Sequence, residues 1–202
     1  MKHLVGIDEA GRGPLAGPVA VGVLLDQSLK TKDQKFLDEY FPKLRDSKKL
    51  SEKKREEFFK VLQKLKKEGV IDFAVALVPA SIIDSKGIVY AIQKGIAGCL
   101  EKLQVDPNNS QVLLDGGLKA PEAFLSQETI VRGDESEPVI SLASIVAKVT
   151  RDRHMITTAH SFPQYGFEVH KGYGTAKHIA QIKEQGLCEI HRKSFCTHLQ
   201  KK

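Results

Sequence analysis

The chain has 202 residues, of which 41% are hydrophobic and 28% charged, with 16 Gly, 8 Pro and no Trp. That length and balance suit one packed globular domain and exclude disordered, collagen-like and low-complexity classes. The formal net charge is +6, no apolar run approaches the roughly 18 residues of a membrane span, and no signal-peptide pattern opens the chain, so a cytoplasmic protein is expected.

Leu4 to Asp8 reads as a short apolar strand, and Asp8-Glu9 stand at its end. Gly11 to Pro18 reads as a Gly and Pro turn region, and Val19 to Leu25 as a second strand able to pair with the first in antiparallel fashion. A charged connection follows. Ser51 then caps a predicted helix through Glu68, with Phe58, Leu62 and Leu65 on one face and Gly69 as its stop. Val70 to Val78 is a strand ending at Pro79, and a helix from about Lys86 to Gln104 aligns Ile88, Ile92, Ile96, Cys99 and Leu103. Val112 to Leu114 forms a buried strand that ends at Asp115, and Thr129 to Arg132 forms another just before Asp134. A helix from about Val139 through Arg153, a short helix opened by Thr175 and a basic C-terminus complete the reading. Strands that alternate with helices indicate a mixed sheet with helices on its faces, an α/β arrangement.

The charge is unevenly placed. Residues 30–67 hold fourteen Lys or Arg against seven Asp or Glu, and residues 170–202 hold seven against two together with His170, His178, His191 and His198. Two basic blocks therefore flank an acidic middle, a layout that suits a polyanion held at the rims and metal ions gathered by central carboxylates. Solvated lysine-rich helices would give the same count. The acids carry more information than the lysines. Asp8, Glu9, Asp115 and Asp134 each stand at or just beyond a strand end, where ligands collect in open α/β sheets, and converging carboxylates need protons or hard cations to coexist. Singly, Asp115-Gly116-Gly117 is equally a turn and Asp134 a loop acid. Gly11-Arg12-Gly13-Pro14 lets backbone approach a ligand closely, but its spacing matches neither a dinucleotide fingerprint nor a Walker loop. Cys99, Cys188 and Cys196 fall in no C-x-x-C arrangement and read as inert thiols; no Cys and His pairing can be placed.

Seven ordered blocks together resemble the bacterial ribonuclease HII family. They are Gly6 to Pro18, Asp46-Ser47-Lys48-Lys49-Leu50, Leu114-Asp115-Gly116, Arg132-Gly133-Asp134, Ala143 to Asp152, Tyr165 to Thr175 without its variable positions, and His191-Arg192-Lys193-Ser194-Phe195. The resemblance implies an RNase H-like core, a five-stranded mixed sheet with flanking helices, in a single catalytic domain with a C-terminal helical extension from about residue 165. It implies a metal-dependent endonuclease that cuts the RNA strand of RNA–DNA hybrids and nicks DNA 5′ to an embedded ribonucleotide. Two divalent ions, Mg²⁺ or Mn²⁺, would leave 3′-hydroxyl and 5′-phosphate ends.

Carried over by position, the resemblance assigns catalysis and metal binding to Asp8, Glu9, Asp115 and Asp134, and ribonucleotide recognition to Gly11-Arg12-Gly13. It places Tyr173 on the sugar after the ribonucleotide, and Lys48 and Lys171 near the bound strand. Asp152 is the rival fourth acid; its setting between Arg151 and Arg153 on a helix favours an ion pair instead. Arg132 stands where many relatives carry Lys, and the clamp-binding tail of some archaeal relatives is not evident, which leaves a partner protein open; a monomer is expected. The related ribonuclease HIII type differs in carrying a further N-terminal domain and lacking Arg in the glycine loop. A non-catalytic hybrid binder would keep the basic blocks but has no use for four acids at strand ends.

Overall fold

The structure, a computed structural model, describes residues 2–44 and 50–199. Among these residues one sheet has the order β3-β2-β1-β4-β5. Its strands are β1 (His3–Ala10), β2 (Val19–Asp26), β3 (Asp72–Val78), β4 (Ser110–Asp115) and β5 (Gln127–Ile130). β1, β2 and β3 run antiparallel to their neighbours as a meander, whereas β4 pairs parallel with β1 and β5 parallel with β4. The mixed sheet expected from the sequence is thus present, with helices on both faces, an α/β arrangement.

Alternation along β1 divides the core. Val5 and Ile7 face one apolar layer with Val21, Val23, Val112 and Leu114, covered by α4 (Ile88–Lys102) through Ile92 and Ile96. Leu4, with Leu24 and Leu113, faces the other layer. There α2 (Glu52–Lys67) contributes Phe58, Leu62 and Leu65, and α6 (Pro138–Ala159) contributes Ile140, Ala143 and Val146. Truncating a fully buried leucine such as Leu62 to Ala would cost about 2 to 5 kcal/mol.

α6 lies directly on the strand backbones. A Cβ at Gly6 would stand 2.2 Å from the Val139 carbonyl oxygen, and one at Gly22 would stand 2.4 Å from that of Ala143. No methyl group fits there, so these two glycines set how near the helix comes to the sheet.

The differences from the sequence reading have local causes. The charged connection after β2 contains α1 (Gln34–Tyr40), capped by the Asp33 carboxylate on the Lys35 N–H and held by buried Leu37. Before α4 a separate helix, α3 (Ala80–Lys86), buries Ile83, and Gly87 at φ 85° both ends it and begins the next. β3 begins at Asp72 because Gly69 takes a left-handed turn and the Val70 N–H returns to the Leu65 carbonyl. Asp134 sits not in a strand-following loop but in α5 (Gly133–Ser136), and α6 continues six residues past Arg153, burying Met155 and Ala159. α7 (Phe167–His170) and α8 (Ala176–Gln185) pack Phe167 and Ile182 with Tyr165, Ala16 and Met155 in a third apolar cluster. α8 starts where Thr175 predicts, its hydroxyl accepting from the His178 N–H at 3.2 Å.

Candidate active site

The parallel register Gly6↔Leu113 and Ile7↔Leu114 brings the ends of β1 and β4 side by side, so Asp8 and Asp115 become neighbours. Asp8 lies two residues beyond Gly6, on the α6 face of the sheet, and Glu9 on the opposite face. Asp134 is added from α5: its N–H donates to Asp115 Oδ1 at 3.2 Å, while its carbonyl accepts from the Ser141 hydroxyl of α6. Four acids spread over more than 120 positions of sequence therefore meet at one place. Together with Gly11, Arg12, Gly13, Arg55, Ser144, Lys148 and Tyr173 they line an open cleft of about 440 Å³.

The electrostatics of this cleft are those of anions crowded together. Burial pushes the Asp8 carboxyl up to about 8; the Ser144 hydrogen bond opposes this, and the nearby charges of Glu9 and Asp115 add to it. Glu9 is raised as well, chiefly by burial, although Arg12 pulls the other way with Nη1 at 3.2 Å from Oε1. Carboxylates in such a state gain most from hard divalent cations, which prefer oxygen donors. Among the described residues no three His, Cys, Asp or Glu side chains form a ready-made metal cage.

The cleft has a basic wall that sequence reasoning missed. Arg55 and Lys148 line it from α2 and α6, where each reads in sequence as one more exposed helical cation. Lys148 Nζ also pairs with Asp152 at 2.9 Å, one turn away on the helix, and Asp152 acts on the flanking Arg151 through its charge as well. Asp152 is not among the residues lining the cleft. Tyr173 is 40% exposed, with the Lys148 ammonium 5.6 Å and the Arg151 guanidinium 5.7 Å from its ring centre. Lys171 does not line the cleft; its ammonium turns back to the Glu168 carbonyl. Lys48 lies outside the described residues.

Each glycine of the loop has its own reason. Gly11 has φ 86°, and a Cβ there would stand 2.0 Å from Arg151 Nε, so both conformation and packing demand glycine. At Gly13 a Cβ would meet no atom of the protein within 4 Å. The space over Gly13 is open to the cleft.

Behind the loop lies a second cluster, buried and rich in nitrogen. Arg192, fully buried, donates from Nη2 to the Gly11 carbonyl at 2.7 Å, from Nη1 to that of Arg12 at 2.9 Å and from Nε to that of Gly17 at 3.0 Å. Arg151 does the same for Pro18, Ala16 and Lys171. His178 Nε2 and His191 Nε2 are 3.1 Å apart, and the ring of His170 stacks on His178 at 4.3 Å. The Cys188 N–H donates to His191 Nδ1, so His191 carries its proton on Nε2 and donates to His178, whose Nδ1–H donates to the Tyr173 carbonyl. Burial holds His178 and His191 down to about 4, with neighbouring imidazoles adding to the effect. The Cys188 thiol also lies 3.0 Å from His191 Nδ1, a Cys and His pairing the sequence did not reveal. Burial raises this thiol as it lowers the imidazole, which leaves the pair unactivated.

A family model described as Ribonuclease HII matches residues 5–198. The chain is 45% identical over 192 residues to the Ribonuclease HII of Endomicrobium trichonymphae, covering 95% of this chain and 84% of that one. It is 40% identical over 195 residues to the Ribonuclease HII of Caldicellulosiruptor bescii, covering 96% and 86%. Among solved structures the fold is similar to the RNase HII in a PCNA complex from Archaeoglobus fulgidus, with TM-score 0.75, 24% identity and coverage of 98% and 97%. It is also similar to Bst-RNase HIII in complex with Mn²⁺, with TM-score 0.66, 13% identity and coverage of 92% and 63%.

Proposed function

The chain belongs to the ribonuclease HII family, a hydrolase family with RNase H activity on RNA–DNA hybrids, and from that premise we propose that it also nicks duplex DNA 5′ to a single embedded ribonucleotide. The observation that carries this reading is the meeting of Asp8, Glu9, Asp115 and Asp134 with Gly11 to Gly13 and Tyr173 around one cleft. Asp8, Glu9, Asp115 and Asp134 would hold two divalent ions, Mg²⁺ or Mn²⁺, and their crowding, with Asp8 pushed up to about 8, fits that role. The chemistry that such ions would supply when bound is activation of water at the scissile phosphate and stabilisation of the departing 3′ oxygen, which would leave 3′-hydroxyl and 5′-phosphate ends.

The remaining work belongs to the chain. Arg55 and Lys148 receive phosphates on the basic wall without reading sequence; Lys171 would meet a phosphate further along the strand by releasing the Glu168 carbonyl, and Lys48 is assigned there by the family resemblance. The open space over Gly13 admits the sugar to the backbone, where N–H groups at Gly11 to Gly13 meet the 2′-hydroxyl, the group that tells ribose from deoxyribose. The Tyr173 ring stacks on the following sugar. One catalytic domain, acting as a monomer in the cytoplasm, completes the reading.

The test is a duplex carrying one ribonucleotide, incubated without metal and then with Mg²⁺ or Mn²⁺. A metal-dependent cut 5′ to the ribonucleotide is the expected result. If neither ion produces a cut while an RNA–DNA hybrid is degraded, the enzyme is a hybrid nuclease only.

A further inference from the structure

Among the described residues the buried Arg192 guanidinium donates its hydrogen bonds to three backbone carbonyls of the 11–17 segment, those of Gly11, Arg12 and Gly17. Burying a cation is costly, and well-placed hydrogen bonds such as these offset the cost. Two of its carbonyls, those of Gly11 and Arg12, are consecutive. In a trans peptide the C=O and the following N–H point in opposite directions, and no cis bond occurs among the described residues. Drawing the Gly11 carbonyl down onto Arg192 therefore turns the Arg12 N–H away from the buried side, and drawing down the Arg12 carbonyl does the same for the Gly13 N–H. Gly11, Arg12 and Gly13 line the cleft on that outward side. A charged donor on a carbonyl also polarises its amide, so each outward N–H becomes a stronger donor.

Arg192 is itself fixed. Its N–H donates to the Leu15 carbonyl at 2.8 Å, His191 bridges Ala16, and the next two residues are tied to α3, where the Asp84 carboxylate accepts from the Lys193 N–H and from the N–H and hydroxyl of Ser194. The loop is thus aimed by a segment nearly 180 positions further along the chain.

We infer that Arg192 is a positioning residue for ribose recognition: it sets the Arg12 and Gly13 N–H groups as a pair of donors facing the 2′-hydroxyl. This rests on the reading of Gly11 to Gly13 as the ribose reader, and adds that the discrimination is held from beneath by the C-terminal segment.

The experiment compares the affinity for a duplex containing one ribonucleotide with that for the same duplex in all-DNA form, with Ca²⁺ replacing the catalytic ion and each protein well below its melting temperature. Wild type is expected to prefer the ribonucleotide duplex. Arg192→Lys keeps the charge but not the fork, and Arg192→Gln keeps fewer donors. Both should reduce that preference, by about tenfold where two aimed hydrogen bonds are lost, while all-DNA affinity changes little. Leu62→Ala, a truncation in the α2 layer, should lower the melting temperature and leave the preference intact, which separates aiming from general loosening. A wild type without any preference removes the reading of the glycine loop, and this inference with it. A wild-type preference retained in either folded Arg192 variant overturns the role of Arg192 alone, as does failure of both variants to fold, which would make the residue structural first.

Discussion

The acid cleft and the nitrogen-rich cluster behind it are both dense in titratable groups, yet they are balanced in opposite ways. In the cleft, like charges crowd: Asp8 is raised by burial and by Glu9 and Asp115, and Arg12 is the cation paired with Glu9. Behind the loop the groups satisfy one another: His191 donates to His178, His178 to the Tyr173 carbonyl, and two arginines to six carbonyls. The first arrangement gains from something arriving from outside, and the second gains from staying as it is. Density of charged residues alone does not mark a site; the sign of the balance does.

Three measurements probe that contrast, from the largest effect to the smallest. Asp8→Asn and Asp115→Asn should each lower kcat/KM by more than about a hundredfold, since even outer partners of metal ligands cost 10- to 100-fold. Their melting temperatures should be equal to or above that of wild type, because an amide removes repulsion among the acids. Near-normal turnover at saturating Mg²⁺ would show that the cleft does not depend on these ligands.

Tyr173→Ala stands between the two regions, because its ring faces the cleft and its carbonyl belongs to the histidine chain. The backbone bond survives the substitution, so the loss should fall on the ring, about 1 to 3 kcal/mol of stacking on a single-ribonucleotide duplex and less on a longer RNA tract. Equal losses on both substrates with a lowered melting temperature would assign the ring to packing instead.

The third measurement concerns pH. His178 and His191 are held down to about 4 in the folded protein, against 6.5 for the free group. Between those values the unfolded chain binds protons that the folded chain refuses. Stability is therefore fully present above about pH 6.5 and declines as pH falls towards 4, by up to about 1.4 kcal/mol per pH unit for each group. Melting curves at pH 7.5 and pH 5 should show the drop, and His178→Asn should flatten it. An unchanged slope would mean that the cluster admits protons without cost.

What the sequence disclosed follows from where the signals reside. Asp8 was legible because an apolar strand delivers it to a glycine loop, and α2 because Ser51 and Gly69 mark both its ends. α1 and α3 were not, being seven residues each and held by one or two buried side chains. Arg55 and Lys148 looked like any helical cation, and their place in the cleft depends on how α2 and α6 pack. Arg192 and the three histidines were counted in a basic rim, whereas burial shows His178 and His191 to be neutral and Arg192 to be enclosed. Their partners are carbonyls, which every residue has, so no side-chain pattern announces them.

The glycines under α6 extend the reach of the chemistry beyond the residues that perform it. Gly22 pairs with Asp8 across β1 and β2, and the Ala143 carbonyl that rests on it immediately precedes Ser144, the hydroxyl partner of Asp8. The thickness of this layer acts as a spacer gauge. A single methyl at Gly22 would lift the helix and carry Ser144 and Lys148 away from the acid together. Tolerance to mutation should accordingly be low at a mid-strand position outside the lining of the cleft, and a search for inactivating changes confined to the cleft would overlook it.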